Sequence, residues 1–116
     1  MRREPVVLLL DAERAAAKIA QFIAGSTEAA YLADALLRSA VERQAEILGE
    51  ALNALARAAP EMAAAIPDLS RAVAFRNLLI HGYAMVDDRI VWRVASEDIP
   101  LMRRDVKLLL DRHAPH

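Results

Sequence analysis

At 116 residues, 56% hydrophobic and 27% charged, the chain has the size of one domain and too much apolar content for disorder. Lys plus Arg number 15 and Asp plus Glu 16; the net charge of −1 excludes a broad basic nucleic-acid surface and leaves room for a local one. The absence of cysteine excludes disulfides, thiolate nucleophiles and cysteine-bound metals.

Alanine fills 25 positions, threonine one and glycine 3, a composition that favours helices over strands. Pro5 suits the first turn of a helix, where its missing N–H would have no partner anyway, and this helix reads through to about Ala24. Gly25-Ser26-Thr27 ends it, and Ser26 or Thr27 can cap a short turn beyond. A second long helix is predicted from about Asp34 to Arg57. Its spacing of Leu37, Val41, Gln44, Leu48, Ala51 and Leu55 alternates steps of four and three, so it packs nearly lengthwise along a neighbour. Gly49 inside it costs about 1 kcal/mol relative to Ala and would let another helix come close. Ala59-Pro60 stops this helix, and Glu61–Ile66 reads as one or two turns before Pro67.

Asp68 or Ser70 caps a third helix through about His81, with Gly82 as its C′ residue. The segment from Asp87 to about Ser96 reads as a short helix. Pro100 falls in the first turn of a last helix, capped by Ser96 or Asp98, with Ile99, Met102, Val106 and Leu109 as its apolar stripe. The expected fold is all-α: an up-and-down bundle of about four longer helices plus short helical pieces, one domain over residues 1–116. No apolar run is long enough for a membrane span. Arg2 and Arg3 ahead of Val6–Leu10 imitate a signal peptide, but Asp11 and Glu13 cut the run short, and the chain reads as cytoplasmic with no membrane partner.

The third helix holds the chemistry. Phe75-Arg76-Asn77-Leu78-Leu79-Ile80-His81-Gly82-Tyr83 sets Arg, Asn and His around three aliphatics that read as core. Asn77 and His81 are four apart and share a helix face. Arg76 and His81 are five apart, so they differ by about 140° in direction and about 7.5 Å in height. They do not touch naturally within one helix but can flank one cleft. The C-terminal end of a helix favours a protonated imidazole. A His that moves a proton beside an Arg that holds an anion suits reaction at a phosphate. From Leu69 to Val86 there is no acidic residue, while Arg71 and Arg76 add local positive charge. Spacing alone also allows the plain alternative, an Arg and a His that merely solvate a helix end. Thirteen Arg against two Lys suit planar anion recognition.

The run Arg76 to Tyr83, with Val86-Asp87, Ile90-Val91-Trp92, Leu48-Gly49-Glu50-Ala51 and Glu97-Asp98-Ile99-Pro100, resembles the HepT-like branch of the HEPN superfamily. The likeness spans most of the chain, from about Val6 to Leu110. It implies a small all-α domain that dimerises so that two Arg/His motifs face one cleft. It implies the toxin of a type VII-like toxin–antitoxin pair, a metal-independent RNA endonuclease without a cofactor. In that reading Arg76 holds the scissile phosphate and His81 is general base or acid on the ribose 2′-OH route. Asn77 and Glu50 support them. Tyr83 is the hydroxyl to which a minimal nucleotidyltransferase antitoxin transfers AMP, silencing the toxin. Phosphate groups placed beside Arg76 would occupy the site and repel RNA.

Other residues weigh less. Glu42, Glu46 and Glu50 recur every fourth position and read as a solvated stripe, with Glu50 the exception that can pair with Arg76 or orient His81. His113 and His116 sit at the frayed end. Asp87-Asp88 lacks a His at metal-ligand spacing. Trp92 suits core or dimer interface better than base stacking. Arg103, Arg104, Lys107 and Arg112 are offset by Asp98, Asp105 and Asp111, and Arg103 or Lys107 can extend an RNA path. No Gly-rich phosphate loop is present. Two rival readings remain open: a non-catalytic nucleotide- or partner-binding subunit of a nucleotidyltransferase complex, favoured by the near-neutral charge, and a plain helical dimerisation module.

Overall fold

The computed structural model describes residues 4–113, apart from the side chain of Tyr83. His116 and the Arg2–Arg3 pair lie outside the described residues. Four longer helices carry the fold: α1 (Pro5–Ile23), α3 (Ala35–Ala58), α5 (Leu69–His81) and α7 (Ile99–His113). The short helices α2 (Glu28–Ala33), α4 (Pro60–Ala63) and α6 (Asp88–Arg93) join them, and no strand occurs among the described residues.

The local signals act where the residue types place them. Pro5 opens α1. Gly25, at φ 74°, makes the turn that follows. The Thr27 side chain accepts from the Ala30 N–H and the Asp34 carboxylate from the Leu37 N–H, so each caps its helix. Asp87 does the same for α6, accepting from the Arg89 N–H at 2.9 Å. Three expected ends differ. Asp68 stands at the N-cap of α5, but its side chain makes no cap hydrogen bond and pairs with Arg71 at 3.5 Å instead. Gly82 is the C-cap of α5 and not C′: its φ is −120° and its N–H reaches the Leu78 carbonyl, so no left-handed residue closes the helix. The last helix has no capped start. Val94–Asp98 form a π turn that runs α6 directly into α7. There Ser96 Oγ donates to the Trp92 carbonyl at 2.7 Å instead of capping, so the backbone never breaks.

Packing follows the alanines. Leu8, Leu9, Ala12, Ala15, Ala16 and Ile19 bury one stripe of α1 against α3, which runs along it. The buried seam of α3 is Val41, Ala45, Leu48, Leu52 and Leu55, which keeps the four-and-three rhythm but passes through Ala45 rather than Gln44. Each fully buried aliphatic of this seam contributes about 1.5–3 kcal/mol. The other flank of α3 carries α5. Only Leu79 of the Leu78-Leu79-Ile80 triplet is buried; Leu78 is 40% and Ile80 37% exposed. Three consecutive helical positions span about 200°, so a helix seated on a single neighbour buries only one of them. Between α5 and the α6–α7 arm lies an open apolar cleft of about 370 Å³, lined by Leu48, Phe75, Leu78, Ile90, Val94 and Met102 among others.

At the junction of α2, α3 and α6, Tyr31 is fully buried and stacks on Trp92, ring centroids 5.4 Å apart. Arg38 of α3 pairs with Asp88 at 3.4 Å and donates to the Leu32 carbonyl, tying the three elements together. The described residues include no helix long and apolar enough to cross a membrane.

Candidate active site

Helix α5 packs tightly against α3 at Gly49. A Cβ on Gly49 would lie 2.4 Å from Arg76 Cβ and 2.8 Å from the Ala72 carbonyl oxygen. The glycine therefore admits the crossing, as the small residue inside a long helix suggested. Arg76 sits half-buried at this contact. Its Nε is buried with no hydrogen-bond partner among the described residues. Its Nη1 donates to Asn77 Oδ1 at 2.9 Å. Among the described residues no carboxylate pairs with it, whereas Arg71, Arg38, Arg43 and Arg103 each have one. A guanidinium held by a neutral amide keeps its charge for an incoming anion.

His81 is the last residue of α5 and is exposed, as is Asn77 one turn before it. Arg76 thus lies on the flank of α5 against α3, while Asn77 and His81 face outward. Tyr83 follows Gly82 and opens a 3₁₀ turn, Tyr83–Met85; its side chain is outside the described residues. Glu50 is exposed on α3 and turned to the α1 side, where it lines a cleft with Leu8, Asp11, Ile47, Ala51 and Ala54. The Glu50–Arg76 pair that the sequence allows is not formed. So the structure brings Arg76 and Asn77 together, sets His81 at the open end of the same helix, and leaves Glu50 on another face.

Two further residues are placed differently from their simplest reading. Arg103 is engaged by Glu13 of α1 through two hydrogen bonds, at 2.9 and 3.2 Å, so it is part of the α1–α7 packing rather than an RNA path. Glu42 is half-buried, not fully solvated. Burial raises its carboxyl above the usual range, Asp88 and Glu46 add to the rise, and Arg38 opposes it. No group of three or more His, Asp or Glu among the described residues is placed to hold a metal ion. Sequence reading did not foresee that Gly49 lies against Arg76 itself. The signal was present, a lone glycine in a 24-residue helix, but nothing in the linear order says which residue faces it.

Among the described residues, an arginine without a carboxylate partner and an exposed histidine share one helix of an all-helical domain. The family model described as ribonuclease HepT-like matches residues 12–109, and the chain belongs to this family, the HepT-like branch of the HEPN proteins. It is 27% identical over 108 residues to a protein of Methanocaldococcus jannaschii named "Putative RNase", covering 93% of this chain and 98% of that one. It is 32% identical over 82 residues to another "Putative RNase", from Caldanaerobacter subterraneus, covering 71% and 72% of the two chains. To "Probable ribonuclease HepT" of Thermococcus cleftensis it is 35% identical over 75 residues, 63% of this chain and 66% of the other. No solved structure matches this chain significantly.

Proposed function

We propose that this protein is a metal-independent RNA endonuclease, the toxin of a toxin–antitoxin pair, acting through Arg76 and His81 as a homodimer. The observation that carries the reading is Arg76: half-buried, anchored by Asn77, and without a carboxylate partner among the described residues. Arg76 binds the scissile phosphate and stabilises the charge that develops on it. His81 takes the proton of the ribose 2′-OH as that oxygen attacks phosphorus. The P–O5′ bond then breaks, and the leaving 5′ oxygen takes a proton from an imidazolium, that of the same or the partner's motif. The outward face of His81 and the inward seat of Arg76 support a site built from two copies. Within one helix the two groups diverge by about 140°, and a facing second motif supplies the missing geometry.

The control follows from the same charge logic. A minimal nucleotidyltransferase antitoxin transfers AMP from ATP to the Tyr83 hydroxyl, forming a phosphodiester and releasing pyrophosphate. The added negative charge repels RNA. Mass gain by wild type and none by Tyr83→Phe, with the partner enzyme and ATP, checks this step.

The reaction class is tested by the ends of the products. Cleavage in EDTA through the 2′-OH leaves a 2′,3′-cyclic phosphate and a 5′-hydroxyl, and a DNA copy of the substrate stays intact. Products with 3′-hydroxyl and 5′-phosphate ends, or activity restored only by a divalent ion, would contradict the reading. No cleavage at all would favour the nucleotide- or partner-binding alternative.

A further inference from the structure

The crossing of α3 and α5 closes around one position. Of the three nearest atoms that a Cβ on Gly49 would meet, one is a backbone oxygen (Ala72, 2.8 Å) and two are the first carbons of Arg76 (Cβ 2.4 Å, Cγ 3.0 Å). None of these is the free end of a flexible side chain. To restore even the 3.4 Å of an ordinary contact to Arg76 Cβ, α5 would have to retreat by about 1 Å. The stem of Arg76 therefore lies on bare α3 backbone, and its Nε is sealed there unpaired. Burial of an unpaired N–H costs free energy, so a side chain whose only task was packing would not be an arginine here. The head is held separately, by Asn77 at 2.9 Å.

We propose that Gly49 is a positioning residue for Arg76: by lacking a Cβ it seats the arginine stem against α3 and so fixes where the guanidinium leaves the crossing. The proposal rests on the ribonuclease reading of Arg76. Gly49 touches no substrate; its effect passes through α5, at the stem of Arg76 and the Ala72 carbonyl. This separates it from Glu50 beside it, which faces α1.

A double-mutant cycle on RNA cleavage in EDTA tests it, with Gly49→Ala, Arg76→Ala and the double variant of the full chain. A misplacement of about 1 Å can cost roughly 100-fold in rate, so Gly49→Ala should lower kcat by about that factor and change KM far less. In the Arg76→Ala background the same change should cost far less, since the guanidinium is gone and only the push on the Cβ of residue 76 and the Ala72 carbonyl remains. Equal losses in both backgrounds would overturn the proposal, since Gly49 would then merely hold α5, His81 included. Leu55→Ala, which thins the buried face of α3 away from the crossing, should lower Tm yet leave kcat unchanged; a matching fall in kcat would also overturn it. Cleavage kept by Arg76→Ala would sink the assignment of Arg76 in the ribonuclease reading and this proposal with it. Cleavage lost by Arg76→Ala but kept by Gly49→Ala would sink this proposal alone. If Gly49→Ala does not fold, the wild type decides: by nitrogen-15 NMR the Arg76 Nε proton should exchange with water about tenfold more slowly than that of exposed Arg14. Equal exchange would overturn the seat.

Discussion

An arginine that is half-buried, bonded to a neutral amide and paired with no carboxylate retains its full charge for a ligand. That is the state of Arg76 among the described residues. Asn77 is the control on that charge. Asn77→Ala loosens the guanidinium and should lower RNA cleavage about tenfold, the range of one positioning hydrogen bond of about 1.4 kcal/mol. Asn77→Asp keeps the shape but puts a carboxylate 2.9 Å from Nη1, so it should weaken RNA binding further than Ala does. Affinities of the three proteins in one buffer check the order; an Asp variant that binds as well as wild type would show that the charge of Arg76 is not used. That Arg76, Asn77 and His81 share one helix was legible, because helical spacing is local, and all three lie on α5; their roles rest on the resemblance and not on the spacing. The place of Glu50 was not legible. Successive residues turn by about 100°, and which neighbour each meets depends on where α1 and α5 dock, which no local pattern states.

Helix ends were readable where one residue does the work alone. Pro5 opens α1, and Asp34 and Asp87 cap α3 and α6 by bonds within three residues. The π turn at Val94–Asp98 was not readable, because Ser96 and Asp98 look like caps and the alternative bond of Ser96 to the Trp92 carbonyl leaves the same sequence helical. Tyr31 shows how far an element junction departs from its sequence. Its hydroxyl is buried without a partner among the described residues, and burial pushes its ionisation well above the ordinary value of 10, with Glu42 and Asp88 pushing the same way and Arg38 opposing. The unfolded chain ionises this hydroxyl as pH rises through about 10 while the folded chain does not, so stability falls there. Tyr31→Phe removes both the unpaired group and the titration. It should be between equal and about 1 kcal/mol more stable at pH 7, and should lose less stability than wild type above pH 10. Urea melts at both pH values check this; a variant that is clearly weaker at pH 7 would mean the hydroxyl has a partner in solution.

The whole molecule combines a net charge of −1 with one arginine-bearing helix whose segment holds no acid between Leu69 and Val86. On the proposed reading such a protein would recognise a phosphate locally and not a nucleic-acid surface broadly. The helical class and the four longer helices followed from alanine content and proline placement. Their packing partners did not, since α5 rests mainly on α3 and leaves Leu78 and Ile80 partly bare. The most direct measurement is RNA cleavage in EDTA by purified wild type, Arg76→Ala and His81→Ala, with folding checked by circular dichroism. Cleavage by wild type and a loss of at least about 100-fold in each variant is the expected result. Equal cleavage by all three would place the activity elsewhere and contradict the assignment of Arg76 and His81.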